Sequence, residues 1–421
     1  MVKSAIWHPF TQHGIAGPEI AIARAAGAYL FAEDGRAIID AISSWWVITH
    51  GHGHPRIVEA IRDQAQELEQ VIFAGFTHQP AEQLATKLLA KAPAGLTHAF
   101  FSDSGSTAVE VALKMAVGAW HNRGQPRQRI VAMQHAYHGD IFGSMSVGHR
   151  GVFNAAYDPM LFDVSFVPFP HAGLEQETLD ALDTLLQSGR ETFAAAIFEP
   201  LVLGAGGMMM YPPHVLAEIA RLCRHYGVWL ILDEVMTGFG RTGTMFACEQ
   251  AMVAPDLMCL SKGITAGFLP MGVTLASDEI YDAFYSEDRA KTFFHSSSYT
   301  GNAIACAAAL ANLEIWEQEP VMTRIAGIAE FHARMLAEFS QRPEVAAVRQ
   351  CGTIAALELR VTEPGYLAGL GPRLSAFYLE NNVLLRPLGN VVYVLPPYCT
   401  GSSELTRIYE TIDESLAIVG K

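Results

Sequence analysis

Short apolar runs alternate along this chain with stretches of helical periodicity, and that alternation restricts the fold more than any other feature. The runs are Ala99-Phe100-Phe101, Arg129 to Met133, Ala194 to Phe198, Val228 to Leu232 and Leu257 to Leu260. Helical patterns occupy 57 to 70, 81 to 91, 106 to 121, 214 to 225 and 303 to 316. Continuous apolar strands are buried on both faces, and helices between them cover those faces. The pattern therefore predicts an α/β domain with a mostly parallel sheet flanked by helices. In such sheets ligands gather outside the carboxyl ends of the strands. The C-terminal part reads differently. A helical pattern near 320 to 340, short strands around 353 to 360 and 391 to 395, and a closing helix near 402 to 418 predict a smaller α+β lobe.

With 421 residues, half of them apolar, the chain exceeds one ordinary core and can enclose a site between two lobes. Its formal charge of -15 argues against a nucleic-acid groove or an anionic membrane as the main partner and favours small molecules. A carboxylate substrate would need a local cation against that background. The six cysteines form no CxxC pair and sit mostly in apolar runs, so buried free thiols are expected. The first residues lack the apolar core of a signal peptide, and Glu199-Pro200 interrupts the apolar stretch around 194 to 211. A cytosolic enzyme is the expectation.

Three stretches carry chemistry. In Ser102-Asp103-Ser104-Gly105-Ser106-Thr107 a strand turns into a helix, and such a turn offers backbone N–H groups, hydroxyls and the positive helix end to a phosphate. The same serines would equally serve as a plain helix cap. In Trp229-Leu230-Ile231-Leu232-Asp233-Glu234-Val235 a buried strand ends in carboxylates, which require a cationic or N–H partner. A protonated pyridine nitrogen is one such partner, and a neighbouring loop is another. In Leu257-Met258-Cys259-Leu260-Ser261-Lys262-Gly263 a lysine closes a strand, where desolvation makes an amine nucleophilic enough to join an aldehyde. The alternating His50, His52 and His54 are separated by Gly51 and Gly53 and lack a companion carboxylate or cysteine, so they read as a structural loop; no metal is expected.

Taken in order, Ser104-Gly105-Ser106, Asp233-Glu234-Val235, Phe239-Gly240-Arg241-Thr242-Gly243, Ser261-Lys262 and Tyr299-Thr300-Gly301-Asn302 resemble a class III aminotransferase of fold type I over nearly the whole chain. That resemblance implies pyridoxal 5'-phosphate bound covalently to Lys262 and held at its ring nitrogen by Asp233. Ser104, Gly105 and Ser106 would contact its phosphate, and Tyr137 and Val235 would enclose the ring. It also implies a homodimer with shared active sites, in which Ser298 reaches the phosphate of the partner subunit's site. Residues 50–318 would form the large domain, and 1–49 with 319–421 the small one.

Further stretches, among them Trp7-His8-Pro9-Phe10, Ser43-Ser44-Trp45-Trp46, Tyr137-His138-Gly139-Asp140 and Arg386-Pro387, are most similar to the branch of this class that acts in biotin biosynthesis on 8-amino-7-oxononanoate. The resemblance implies a ping-pong exchange through pyridoxamine phosphate, with S-adenosylmethionine as the usual donor. Phe10, Trp45, Trp46, Asp140, Arg241 and Ser296 would line the substrate path, and Arg386 would meet the substrate carboxylate. A long amino-keto acid does need aromatic walls and one cation at the far end. Phe10 replaces the tyrosine usual in that branch. The alternatives are an ω-amine or β-alanine:pyruvate aminotransferase, suggested by Phe268-Leu269-Pro270-Met271-Gly272, and a cofactor-binding scaffold without activity.

Overall fold

The structure, a computed structural model, describes residues 5–362 and 365–419. Its centre is a seven-stranded sheet in the order Leu96–Ser102, Gly272–Ser277, Leu257–Leu260, Trp229–Asp233, Phe193–Phe198, Arg129–Met133 and Ser165–Val167. The central strands Phe193–Phe198, Trp229–Asp233 and Leu257–Leu260 are buried at every position, as continuous apolar runs require. Gly272–Ser277 alone runs antiparallel to its neighbours. The reason is local: only a short 3-10 turn at Lys262–Thr265 separates it from the preceding strand, and a parallel return needs a full helical crossover.

Helices fall where the periodicity places them, with ends set by local chemistry. Pro55 opens the helix Pro55–Glu67 at a position whose N–H has no helical partner, and Ser104 caps Gly105–Asn122 by accepting from Thr107 N at 3.2 Å. Gly227, at φ 62°, ends Pro213–Tyr226 in the left-handed conformation that glycine adopts without strain.

The two ends of the chain meet in one four-stranded sheet, Ile22–Ala26, Tyr29–Ala32, Ala37–Asp40 and Val383–Leu384, the last pairing in parallel with Ala37–Asp40. The alanine-rich Ile22–Ala26 has the composition of a helix, and only its pairing with Tyr29–Ala32 makes it a strand. A three-stranded antiparallel sheet, Val345–Cys351, Ile354–Leu359 and Val391–Val394, completes the C-terminal part beneath Val321–Phe339, against which Ser402–Ser415 packs. Four of the six cysteines are buried, Cys351 is half-buried and Cys399 is exposed, and all are free. No helix among the described residues is long and apolar enough to cross a membrane.

Candidate active site

The parallel strands all end at one edge, so the residues that follow Ser102, Met133, Phe198, Asp233 and Leu260 converge there. They line a cavity of about 250 Å³ together with residues from both chain ends. Gly105, Ser106, Tyr137, Asp140, Asp233, Val235, Lys262, Phe10, Trp45, Trp46 and Arg386 all face it. The residues singled out for chemistry thus come together from seven separate stretches of sequence.

Asp233 ends its strand 5 % exposed. Its Oδ1 accepts from Val235 N at 3.1 Å, and its Oδ2 lies 2.7 Å from His138 Nδ1. Sequence reasoning misses His138 although it stands inside the Tyr-His-Gly-Asp stretch; a histidine shortly after one strand end, with an acid closing another strand, is the available signal. Its Nε2 is buried and has no hydrogen-bond partner among the described residues.

Lys262 sits at φ 42°, a left-handed conformation that costs a non-glycine residue about 1–3 kcal/mol. Its Nζ is 4.5 Å from the centroid of the Trp46 ring. Desolvation draws its ammonium down to about 8, opposed by the negative charges of Asp233 and Glu199 and aided by Arg241. Burial likewise lifts Glu199 to about 7; its carboxylate accepts from Tyr137 N at 2.9 Å and Gly204 N at 3.0 Å. Burial, then the charge of Asp140, keeps the Tyr137 phenol protonated.

The tryptophans occupy an unusual turn. Ser43, Ser44, Trp45 and Trp46 have φ of 54°, 43°, 73° and 72°, four successive left-handed residues without a glycine. The turn sends Trp46 inward, where its Nε1 donates to Tyr393 Oη at 3.0 Å, and leaves Trp45 41 % exposed at the mouth. Phe10 packs on Trp45 with centroids 5.6 Å apart, and the Arg386 guanidinium lies 4.9 Å from the Trp45 ring. Arg386 donates to Phe10 O at 3.3 Å and makes no ion pair with any described carboxylate.

Three of the contacts expected in this cavity, Arg241, Ser104 and Ser296, fall outside it. Arg241 is 1 % exposed and donates to the carbonyls of Pro396 (2.9 Å), Trp46 (3.2 Å) and Ile48 (2.8 Å), so it braces the walls instead of meeting substrate. The Ser104 hydroxyl is occupied by the helix cap, leaving Gly105 and Ser106 to face the cavity. Ser296 and Ser298 lie exposed on the segment before Tyr299, away from this chain's own cavity. His50, His52 and His54 pair separately with Asn312, Asp40 and Glu319.

The residues present fit pyridoxal phosphate. Asp233 is a buried carboxylate with His138 alone at ion-pair distance among the described residues, which leaves it able to take a further N–H or cationic partner. A Cβ on Gly105 would stand 2.7 Å from Val235 Cγ1, and one on Gly139 2.3 Å from Ser106 Oγ, so glycine keeps the helix start pressed against the cavity floor. That start supplies N–H groups and the positive helix end suited to a phosphate.

The family described as aminotransferase class-III matches residues 11–416. A relative from Synechococcus elongatus named adenosylmethionine-8-amino-7-oxononanoate aminotransferase is 49 % identical over 98 % of both chains. One of the same name from Nitratidesulfovibrio vulgaris is 41 % identical over 98 % of this chain and 80 % of its own. The solved structure of the enzyme so named from Methanocaldococcus jannaschii superposes with a TM-score of 0.94 at 34 % identity, covering 99 % of this chain and 98 % of that one. A PLP-bound amine transaminase from an uncultivated Pseudomonas species gives 0.92 at 32 % identity and 99 % coverage of both.

Proposed function

The chain belongs to the class III aminotransferases and depends on pyridoxal 5'-phosphate; within that family we propose that it aminates the keto group of 8-amino-7-oxononanoate to give 7,8-diaminononanoate in biotin synthesis. Arg386 carries this reading: an unpaired guanidinium stacked on Trp45 at the mouth of an aromatic channel suits a long apolar acid with one terminal carboxylate. S-adenosylmethionine, named in the relatives, is the proposed donor.

When bound, the cofactor supplies an aldehyde for covalent attachment and a protonated ring that accepts electrons from the reacting carbon. The Asp233 carboxylate, oriented by Val235 N and His138 Nδ1, would hold the proton on the cofactor's ring nitrogen. Gly105 and Ser106 would hold the phosphate, and Val235 and Tyr137, which line the same cavity, would enclose the ring. Lys262 Nζ, its pKa lowered to about 8, is neutral in a useful fraction at physiological pH, so it would hold the cofactor's aldehyde and its free amine would serve as the base that moves a proton at the substrate's amine-bearing carbon. Trp46 shields Nζ from water, and Arg386 anchors the keto acid.

A homodimer with shared sites is part of the proposal. Phe294 and Tyr299 are 73 % and 65 % exposed on the segment that carries Ser298, and Ile72 and Phe76 are 65 % and 61 % exposed. Apolar side chains of that size left in water mark a surface that another chain covers, and Ser298 would then reach the partner's phosphate. Free cysteines suit a reducing cytosol.

The test is product formation by mass spectrometry from 8-amino-7-oxononanoate with S-adenosylmethionine, lysine or alanine in turn. Diaminononanoate from any of them supports the acceptor and names the donor. Transamination of pyruvate by simple amines without that product would place the chain among the ω-aminotransferases. Failure of every pair, with cofactor bound, would make it a scaffold.

A further inference from the structure

The histidine loop is not explained by the chemistry above, yet its members touch both strained segments of the site. His50 Nε2 lies 2.7 Å from Asn312 Oδ1, and Asn312 Nδ2 donates to Gly263 O at 3.0 Å and Ile264 O at 2.9 Å, the carbonyls of the turn that carries Lys262. Both amide hydrogens of Asn312 are thereby committed, so His50 Nε2–H is the donor. His50 is 4 % exposed, and burial lowers it to about 4, which keeps it neutral and in that role.

His52 does the corresponding work on the tryptophan side. Its Nε2 lies 2.8 Å from Asp40 Oδ2, and Asp40, fully buried, accepts from Ser44 N at 2.8 Å, Ser44 Oγ at 2.7 Å and Ile42 N at 3.4 Å. These bonds hold the start of the left-handed turn at residues 43 to 46. The glycines let the imidazoles fan apart: Gly51, at φ 97°, passes so close to its neighbours that a Cβ would stand 2.5 Å from Cys399 Sγ and 3.2 Å from Gly27 Cα.

We propose that the loop 50–54 is a two-armed brace whose positioning residues set the active site: His50 through Asn312 fixes the Lys262 turn, and His52 through Asp40 fixes the Trp45-Trp46 turn. Left-handed residues persist only when their surroundings over-determine them, and these two arms supply that constraint from one loop. The lysine arm rests on Lys262 being the cofactor-bearing residue. Borohydride trapping in the unaltered protein, followed by peptide mass, settles that point by itself, so its failure is separable from failure of the brace.

The experiment is amide hydrogen exchange on the full chain without added cofactor, for Asn312→Leu and Asp40→Ala. Asn312→Leu should speed exchange about tenfold across 262–266 and leave 43–47 unchanged; Asp40→Ala should do the reverse. With cofactor and substrates, Asn312→Leu should lower kcat, whereas Asp40→Ala should raise KM for the keto acid and leave trapping at Lys262 intact. Asp40→Asn, which keeps an acceptor for Ser44 N, should recover most of that KM. Should Asp40→Ala lose protection in the central strand Phe193–Phe198 as well, His52→Leu takes its place with the same expectations, since it removes one of the four bonds to the carboxylate. Equal loosening of both segments by either variant, or no loosening in the segment assigned to it, overturns the brace.

Discussion

His138 Nδ1 stands 2.7 Å from Asp233 Oδ2, and both side chains are buried, across the end of the strand Phe193–Phe198 that separates their own two strands. The histidine orients the carboxylate on which the ring nitrogen would depend. Removing a hydrogen bond to a charged group costs about 1.5–3 kcal/mol, so His138→Leu should weaken cofactor affinity and kcat by roughly 10- to 100-fold. His138→Asn, with an N–H near the Nδ1 position, should recover part of both. Cofactor titration by absorbance and steady-state rates check this; unchanged affinity in His138→Leu would make the contact incidental.

Lys262 should attach the cofactor with a rate governed by its neutral fraction. Burial depresses the amine to about 8 from the ordinary lysine value, and only the neutral form attacks an aldehyde. The attachment rate in cofactor-free protein should therefore rise about tenfold per pH unit below 8 and level off above it. A rise continuing toward pH 10 would mean that the side chain is solvated.

Arg386→Leu should raise KM for 8-amino-7-oxononanoate by about 10- to 100-fold, the worth of a charge-assisted pair, and leave attachment of the cofactor at Lys262 unaltered. The check is a comparison of kcat/KM for the keto acid with the extent of borohydride trapping. Equal KM in the variant would move the carboxylate site elsewhere.

Arg241→Met should lower stability and spare substrate discrimination. It strands the carbonyls of Pro396, Trp46 and Ile48 in a buried place, at a cost of about 3 kcal/mol. The denaturation midpoint should fall, while the ratio of kcat/KM between donor and acceptor stays near that of the unaltered protein. A changed ratio at constant stability would return Arg241 to the substrate path.

Much of the site was readable because catalytic residues of an α/β sheet follow strand ends, and strand ends show as breaks in apolar runs. Asp233, Lys262, Gly105 and Ser106 were each adjacent to such a break. Arg241 misled because a charge in a glycine-rich loop has the same sequence appearance whether it faces a ligand or three carbonyls. His138 and Asn312 escaped notice for a related reason: a polar residue that acts through another side chain leaves no local pattern. Ile22–Ala26 carries no strand signal of its own, since its strand character exists only in its pairing with Tyr29–Ala32.

The sequence by itself determined the element order, the parallel core and the family, because burial on both sheet faces demands continuous apolar runs and the chemistry demands particular residues at their ends. Only the tertiary structure decided how those ends are aimed. The left-handed turns at residues 43 to 46 and at Lys262, the pairing of His138 with Asp233, and the spread of His50 and His52 to different elements depend on contacts between segments far apart in sequence. Backbone strain of that kind is disfavoured locally and is held by the surrounding packing and hydrogen bonds, so no window of sequence can announce it.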